Sequence, residues 1–200
     1  MFAYIKGVLE TKTNGYVVID VSGIGYKIFM SDSTIAKIGE IGTVVKVHTH
    51  YHVREDNISL YGFYSNDELK MFELLLSVSG IGAKSAITIL GAVEPSVFVL
   101  AVITNDVSKL TKIPGIGQKT AARMVLELKD KLKTDDASVG VGVLDNPNLN
   151  DANSNSNEIT SALKVLGYTN KEIEKALQKI DISNLSIEQC IKNALLELGR

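Results

Sequence analysis

One nine-residue pattern occurs twice in the middle of this chain, and it constrains the fold more than any other feature. Residues 78–86 read Val-Ser-Gly-Ile-Gly-Ala-Lys-Ser-Ala, and residues 113–121, 35 positions later, read Ile-Pro-Gly-Ile-Gly-Gln-Lys-Thr-Ala. The copies align without gaps, and each lies between segments of helical periodicity. Because a gapless internal repeat is much less expected by chance than one copy, we interpret each copy as the turn of a helical hairpin.

The residue types in this turn suit it to hold a phosphate group. Glycine permits the left-handed backbone of a tight turn and leaves the backbone bare. The next helix begins with free N–H groups and the positive end of its dipole, which together attract an anion. A lysine one turn further on adds a full charge. The predicted DNA-binding residues are Gly80, Gly82 and Lys84 in the first turn, and Gly115, Gly117, Gln118, Lys119 and Arg123 in the second.

The surroundings of the repeat agree with an anion-binding face. Arg123 lies four residues beyond Lys119 on one helix face, which the apolar stripe of that helix leaves to solvent. The net charge is −2 overall, but it is +3 over residues 71–133, −1 over 1–70 and −4 over 134–200. Two such hairpins side by side would hold phosphates on both strands of a duplex, a kind of contact that carries no base code.

Around this centre the sequence predicts an α+β protein of three domains. Residues 1–64 contain five β-branched and aromatic segments separated by turn residues, which indicate a small barrel of the OB-fold kind. Residues 65–133 form an all-α tandem helix-hairpin-helix domain that opens with a capping box at Ser65 and Glu68. The predicted strands cover residues 2–10, 16–21, 26–30, 44–53 and 58–63, with no helix among them.

The chain changes character after residue 133. Residues 134–157 are rich in Asn and Asp and contain no Lys or Arg, which predicts a flexible acidic linker. Residues 158–200 carry apolar residues at helical spacing in three runs, and two further capping boxes, Thr169–Glu172 and Ser186–Gln189, open the last two. We therefore expect a small three-helix bundle resembling a ubiquitin-associated domain, in which Cys190 serves packing.

Several classes of function are not expected. No apolar run approaches the ~20 residues of a membrane span, and no signal peptide is visible. The single cysteine gives no sign of an oxidising compartment, so we expect a cytoplasmic protein. Around Lys119 the sequence lacks the Gly-Lys-Ser/Thr triplet of a nucleotide-binding loop, so no ATPase site, catalytic residue or cofactor is predicted.

Three alternatives stay open on the residues alone. Similar hairpins occur in DNA glycosylases, nucleases, ligases and polymerases, where Asp130 would be the nearest carboxylate after the second turn. His48, His50 and His52 alternate on one strand and could bind zinc. Because the opposite face is apolar, we expect these histidines to point to solvent or to a subunit interface, with no metal. The C-terminal bundle could also be a protein-interaction module alone, which would leave the hairpins unexplained.

The domain order and several short motifs resemble one family over nearly the whole chain. The motifs, besides the two hairpin turns, are Gly23-Ile24-Gly25-Tyr26, Thr49-His50-Tyr51, Val53-Arg54-Glu55-Asp56, Leu60-Tyr61-Gly62-Phe63 and Leu166-Gly167-Tyr168. The family is RuvA, the Holliday-junction-binding subunit of the bacterial branch-migration complex. Its members often have a lysine where this sequence has Gln118, so the second turn carries one positive charge fewer.

The resemblance implies more than the residues do. It implies a homotetramer, single or paired, that holds a four-way DNA junction open in recombination and DNA repair, with the hexameric ATPase RuvB and the resolvase RuvC as partners. It assigns Glu55 and Asp56 to an acidic pin at the junction centre, whereas the residues alone favour a plain hairpin turn. It assigns the C-terminal bundle to motor docking, with Leu163, Leu166, Tyr168 and Leu196 as candidate contacts; Tyr168 and Leu196 could equally be peripheral core residues.

Overall fold

The computed structural model describes residues 2–55, 57–137, 151–180 and 185–199. Its N-terminal part is a closed barrel in the strand order β1-β2-β3-β5-β4, in which all neighbours pair antiparallel except β3 and β5. This confirms the predicted five-stranded barrel. The strands are β1 (Tyr4–Thr13), β2 (Tyr16–Val21), β3 (Ile24–Phe29), β4 (Val44–Val53) and β5 (Ile58–Phe63).

Alternating apolar residues fill the barrel. Leu9, Val17, Ile19, Ile28 and Val47 are fully buried at its centre. Glycine allows the strands to approach closely at one crossing, because a Cβ atom at Gly7 would lie 2.1 Å from the carbonyl oxygen of Asp20.

The expectation of strands without a helix was wrong in one place. Helix α1 (Asp32–Lys37) lies between β3 and β4, and the side chain of Ser31 caps it by accepting a hydrogen bond from the Thr34 N–H group. A helix of six residues is too short to show apolar periodicity, so its only sequence signal is this cap.

The middle part consists of two helical hairpins joined by a central helix. Helices α2 (Asn66–Leu76) and α3 (Ala83–Ala92) form the first hairpin, and α5 (Val107–Thr111) and α6 (Gln118–Ala137) form the second; α4 (Pro95–Ile103) connects them. Phe72, Phe98 and Met124 are fully buried in the shared core. On the barrel side, the Glu68 carboxylate accepts hydrogen bonds from the Thr34 hydroxyl and the Tyr64 N–H group, which ties α2 to the barrel.

The C-terminal part is the predicted three-helix bundle of α7 (Asp151–Val165), α8 (Asn170–Leu177) and α9 (Ile187–Leu198). Both predicted capping boxes are present, at Thr169–Glu172 and at Ser186–Gln189. The bundle does not stand apart. Helices α7 and α9 pack against α4, and α7 also packs against α6, so that one apolar core runs through the bundle and the hairpins.

The helices around the predicted linker are longer than expected. Helix α6 continues to Ala137 and α7 begins at Asp151, so both enter the segment 134–157 that we predicted to be a flexible linker. Extending an existing helix is much easier than starting one, which explains how polar residues join the ends of amphipathic helices. The middle of the segment, residues 138–150, lies outside the described residues.

Within the described ranges, no single helix is long and apolar enough to cross a membrane. Helices α3 and α4 meet the length and composition criteria only as a pair, and the chain bends by 100° between them.

Candidate nucleic-acid interface

The two repeated turns have the same backbone conformation. Gly80 and Gly115 occupy the same position, with φ angles of +85° and +82°. Residues other than glycine rarely adopt this left-handed backbone conformation. The prediction that glycine is present here because the tight turn requires that conformation is confirmed at both positions.

The second glycine of each turn has a different role. Gly82 is extended, with φ −94° and ψ 171°, which any residue can adopt. A Cβ atom at Gly82 or Gly117 would find no other heavy atom within 4 Å. The backbone is thus bare at the point where each second helix starts, and nothing in the described structure fills that space.

The isoleucine between the glycines points inward in both turns. Ile81 is 7% exposed and Ile116 is 6% exposed. Each donates its backbone N–H group to the carbonyl oxygen three residues earlier, Val78 or Ile113, over 3.1 Å in both cases. These contacts anchor the turns to the apolar core.

Each turn passes directly into the start of a helix. Gly82 is the N-cap of α3, and no side chain caps it, while α6 begins at Gln118 immediately after Gly117. The first N–H groups of a helix have no partner within it, and the helix dipole makes this end positive. Lys84 and Lys119 are exposed at equivalent positions in the first turns of the two helices. Backbone donors and a lysine therefore occur together at both turns.

Arg123 is exposed, as expected, and its side chain also contacts the first turn. Its Nη1 atom donates a hydrogen bond to the carbonyl oxygen of Ser79, 3.2 Å away in the first turn. One helical turn further along α6, Oε2 of Glu127 accepts a hydrogen bond from the Ser79 N–H group over 2.9 Å. Ser79 and Glu127 are 48 residues apart and were not among the predicted site residues. The i,i+4 spacing of Arg123 and Glu127 was the only available signal.

The predicted acidic pin falls in the connection between β4 and β5. Arg54 donates its N–H group to the carbonyl oxygen of Asn57 over 2.9 Å, which closes a tight hairpin, and Glu55 is exposed at its tip. Asp56 lies outside the described residues. The position of Glu55 suits a projecting charge, and its role in DNA binding stays a prediction.

The histidines of β4 are partly buried, whereas we expected them to point to solvent or to a subunit interface. Nδ1 of His50 lies 3.1 Å from Oε1 of Glu73 in α2, and its ring packs against Phe72. His52 packs against Tyr61, and burial lowers the pKa of both His48 and His52. Helix α2 covers this face of the barrel, which a strand pattern cannot reveal. Among the described residues, no group of three or more His, Cys, Asp and Glu side chains is placed to hold a metal ion.

Three of the four candidate motor-docking residues are buried, so they are not surface contacts in this structure. Leu163 in α7 and Leu166, directly after the end of that helix, belong to the apolar core. Tyr168 is 6% exposed, whereas Leu196 on α9 is 61% exposed. Of the four, only Leu196 is placed to meet a partner.

Tyr168 joins the bundle to the first hairpin. Its hydroxyl group donates a hydrogen bond to Oδ1 of Asp67 in α2, and Nζ of Lys70 lies 3.2 Å from its ring centroid. Burial, together with the hydrogen bond to Asp67, raises the pKa of Tyr168, so the hydroxyl keeps its proton and stays a donor. Burial also raises the pKa of Asp67, although the hydrogen bond from Tyr168 opposes that shift.

Paired hairpins on one core, next to a five-stranded OB-fold barrel, define a tandem helix-hairpin-helix DNA-binding protein. Comparisons with known proteins support this class and narrow it. Residues 1–62 match the family model described as RuvA N terminal domain, residues 72–130 match SAM-like Helix-hairpin-helix tandem, and residues 154–199 match RuvA, C-terminal domain.

Relatives match over essentially the whole chain. The protein named "Holliday junction branch migration complex subunit RuvA" from Acetivibrio thermocellus is 50% identical over 206 residues, covering 100% of both chains. Proteins of the same name from Ruminiclostridium cellulolyticum and Clostridium perfringens are each 45% identical, over 99% and 100% of this chain and 100% of their own length. The chain belongs to the RuvA family.

Proposed function

We propose that this chain is the non-catalytic DNA-binding subunit of a branch-migration complex. It binds four-way (Holliday) junctions through the sugar-phosphate backbone, without reading base sequence. The observation that carries this proposal is the pair of matching turns, each with a bare glycine backbone, a helix start and an exposed lysine. The relatives that match the whole chain are Holliday junction branch migration complex subunits, which supports the junction as the substrate.

The chemistry of each turn fits a phosphate oxygen. Unpartnered N–H groups at the start of α3 or α6 would donate to it, and Lys84 or Lys119 would add a charge. Gly82 and Gly117 leave room for the phosphate to reach those donors. Such contacts fix a protein on DNA regardless of sequence.

The assembly is proposed as a homotetramer, single or paired, since four copies match the four arms of a junction. RuvB, the hexameric ATPase motor, and the resolvase RuvC are the proposed protein partners, and the setting is DNA recombination and repair. Glu55, together with Asp56, is proposed as the acidic pin. Carboxylates at the crossover would repel the phosphates that converge there and help to part the strands.

Motor docking is proposed through the outer face of α9. Leu196 is a large apolar side chain left exposed there, and such a residue suits a partner contact. Leu163 and Leu166 would act indirectly, because they hold the helices of the bundle together.

The test is a gel-shift comparison of a four-way junction with linear duplex of equal length and composition, using the full-length chain. We expect the junction to be bound at least tenfold more tightly, and to the same degree for two unrelated sequences. Equal affinity for junction and duplex would contradict the assignment. Affinity should also fall with salt, by about 0.9 in log K per log salt for each phosphate neutralised.

A further inference from the structure

The first hairpin turn is held by a helix that belongs to the second hairpin. Glu127 and Arg123 lie one turn apart on α6, and together they bind both backbone polar groups of Ser79. Glu127 accepts from the Ser79 N–H group over 2.9 Å, and Arg123 donates to the Ser79 carbonyl oxygen over 3.2 Å. Both bonds involve a charged side chain, which makes them stronger than bonds between neutral groups.

We call these two hydrogen bonds, from Arg123 and Glu127 to Ser79, the clasp. The second turn does not depend on such a clasp. Pro114 occupies the position that Ser79 has in the first turn, and proline has no N–H group and a fixed φ angle. The donor that Glu127 satisfies in the first turn therefore does not exist in the second. Proline fixes the second turn locally, whereas the position of the first turn depends on α6.

We propose that Glu127 is a positioning residue for DNA binding. It holds the first turn at a fixed distance and orientation from the second, so that both can meet phosphates of one DNA molecule at once. Arg123 completes the clasp from the other side of Ser79. The proposal rests on the proposed function, because the spacing matters only if both turns bind the backbone.

Glu127 should affect DNA affinity in two opposite ways, through its charge and through its hydrogen bond to Ser79. A carboxylate beside the first phosphate-binding turn repels DNA, so removal of its charge alone should tighten binding. Loss of its hydrogen bond to Ser79 should weaken binding instead, because the free turn must be ordered again on DNA. Charge and positioning thus predict opposite results for the same residue.

The experiment compares Glu127→Ala with Glu127→Gln in the full-length chain, with junction affinity measured by fluorescence anisotropy. Glutamine keeps an oxygen that can accept from Ser79 but carries no charge. We expect alanine to weaken binding about three- to tenfold, and glutamine to bind as tightly as the wild type or more tightly. Alanine binding as well as the wild type, or glutamine losing as much as alanine, would overturn the proposal.

A second experiment repeats the Glu127→Ala change in a Ser79→Pro variant, which lacks the N–H group that Glu127 binds. In Ser79→Pro, the first turn copies the second, so adding Glu127→Ala should then leave binding unchanged or tighten it, because only the charge of Glu127 is removed. An undiminished effect of Glu127→Ala in that background would show that Glu127 does not act through Ser79.

Hydrogen exchange of the Ser79 amide without DNA separates this proposal from the proposed function. The exchange should be faster in Glu127→Ala than in the wild type or Glu127→Gln, whatever the protein binds. Unchanged exchange would refute the clasp. If exchange were faster in Glu127→Ala but the wild type bound junction and duplex equally, the proposed function would be refuted and the hydrogen bond to Ser79 would stand.

Discussion

The two hairpin turns have nearly the same backbone but reach it by different means. The φ angles of Gly80 and Gly115 differ by only a few degrees, and both isoleucines are buried in the same way. The second turn contains Pro114, which restricts the chain locally. The first has Ser79 at that position and is held by Arg123 and Glu127 across 44 and 48 residues of sequence. A repeated motif therefore indicates a repeated geometry without indicating what maintains it.

The surroundings of the two hairpins differ as well. Helix α2 of the first hairpin contacts the barrel through Glu68 and the C-terminal bundle through Asp67, whose partner is Tyr168. The first hairpin is thus linked to both other parts of the molecule, as well as to α6. Changes elsewhere in the chain should reach the first turn more readily than the second.

The largest expected effect comes from removing both lysines. Lys84→Ala combined with Lys119→Ala should weaken junction binding about 100-fold, since a charged hydrogen bond contributes roughly 1.5 kcal/mol or more. Because the turns match, each single variant should lose a similar amount, within about twofold of the other. Fluorescence anisotropy at one salt concentration measures all three.

Lys171→Ala combined with Lys175→Ala is the matched control, since it removes the same charge from exposed positions on α8. This control should change affinity less than threefold. If the two turn lysines contributed very unequally, the hairpins would not be equivalent in binding.

The glycines should separate binding from stability. Gly82→Ala and Gly117→Ala meet no steric obstacle in the protein, so the melting temperature should hardly change while affinity falls about tenfold, since the methyl group occupies the approach of the phosphate. Gly80→Ala and Gly115→Ala should lose about 1–2 kcal/mol of stability, because their φ angles are positive.

Thermal unfolding and anisotropy on the four glycine variants check this prediction. Were Gly82→Ala and Gly117→Ala to bind DNA normally, the bare backbone at the helix starts would have no part in binding.

The smallest expected effect is a gain at Gln118. This residue is exposed at the start of α6, where Gln118→Lys would add a charge beside Lys119. Affinity should rise a few-fold, and the slope of log K against log salt should steepen by at most about 0.9. Gln118→Met, which has similar length and no charge, is the control. A gain with methionine as large as with lysine would mean that charge is not the cause.

What the sequence revealed depended on how local each feature is. The turns, the barrel strands and the caps at Thr169 and Ser186 follow from neighbouring residues, and the structure confirms them. The hydrogen bond between Ser79 and Glu127 joins residues 48 positions apart, and that between Asp67 and Tyr168 joins residues 101 positions apart. No pattern within either segment predicts such contacts. Helix α1 was missed for the opposite reason, because six residues are too few for periodicity.

The central claim is that both turns, rather than one, contact the DNA backbone. Hydrogen exchange of the full-length chain, with and without a four-way junction, tests it most directly. The first amides of a helix have no intrahelical partner and exchange rapidly, so contact with phosphate should slow them. We expect protection on junction binding in residues 82–86 and in residues 117–121, with no change in α8. Protection in only one of the two turns, or in neither, would contradict the account.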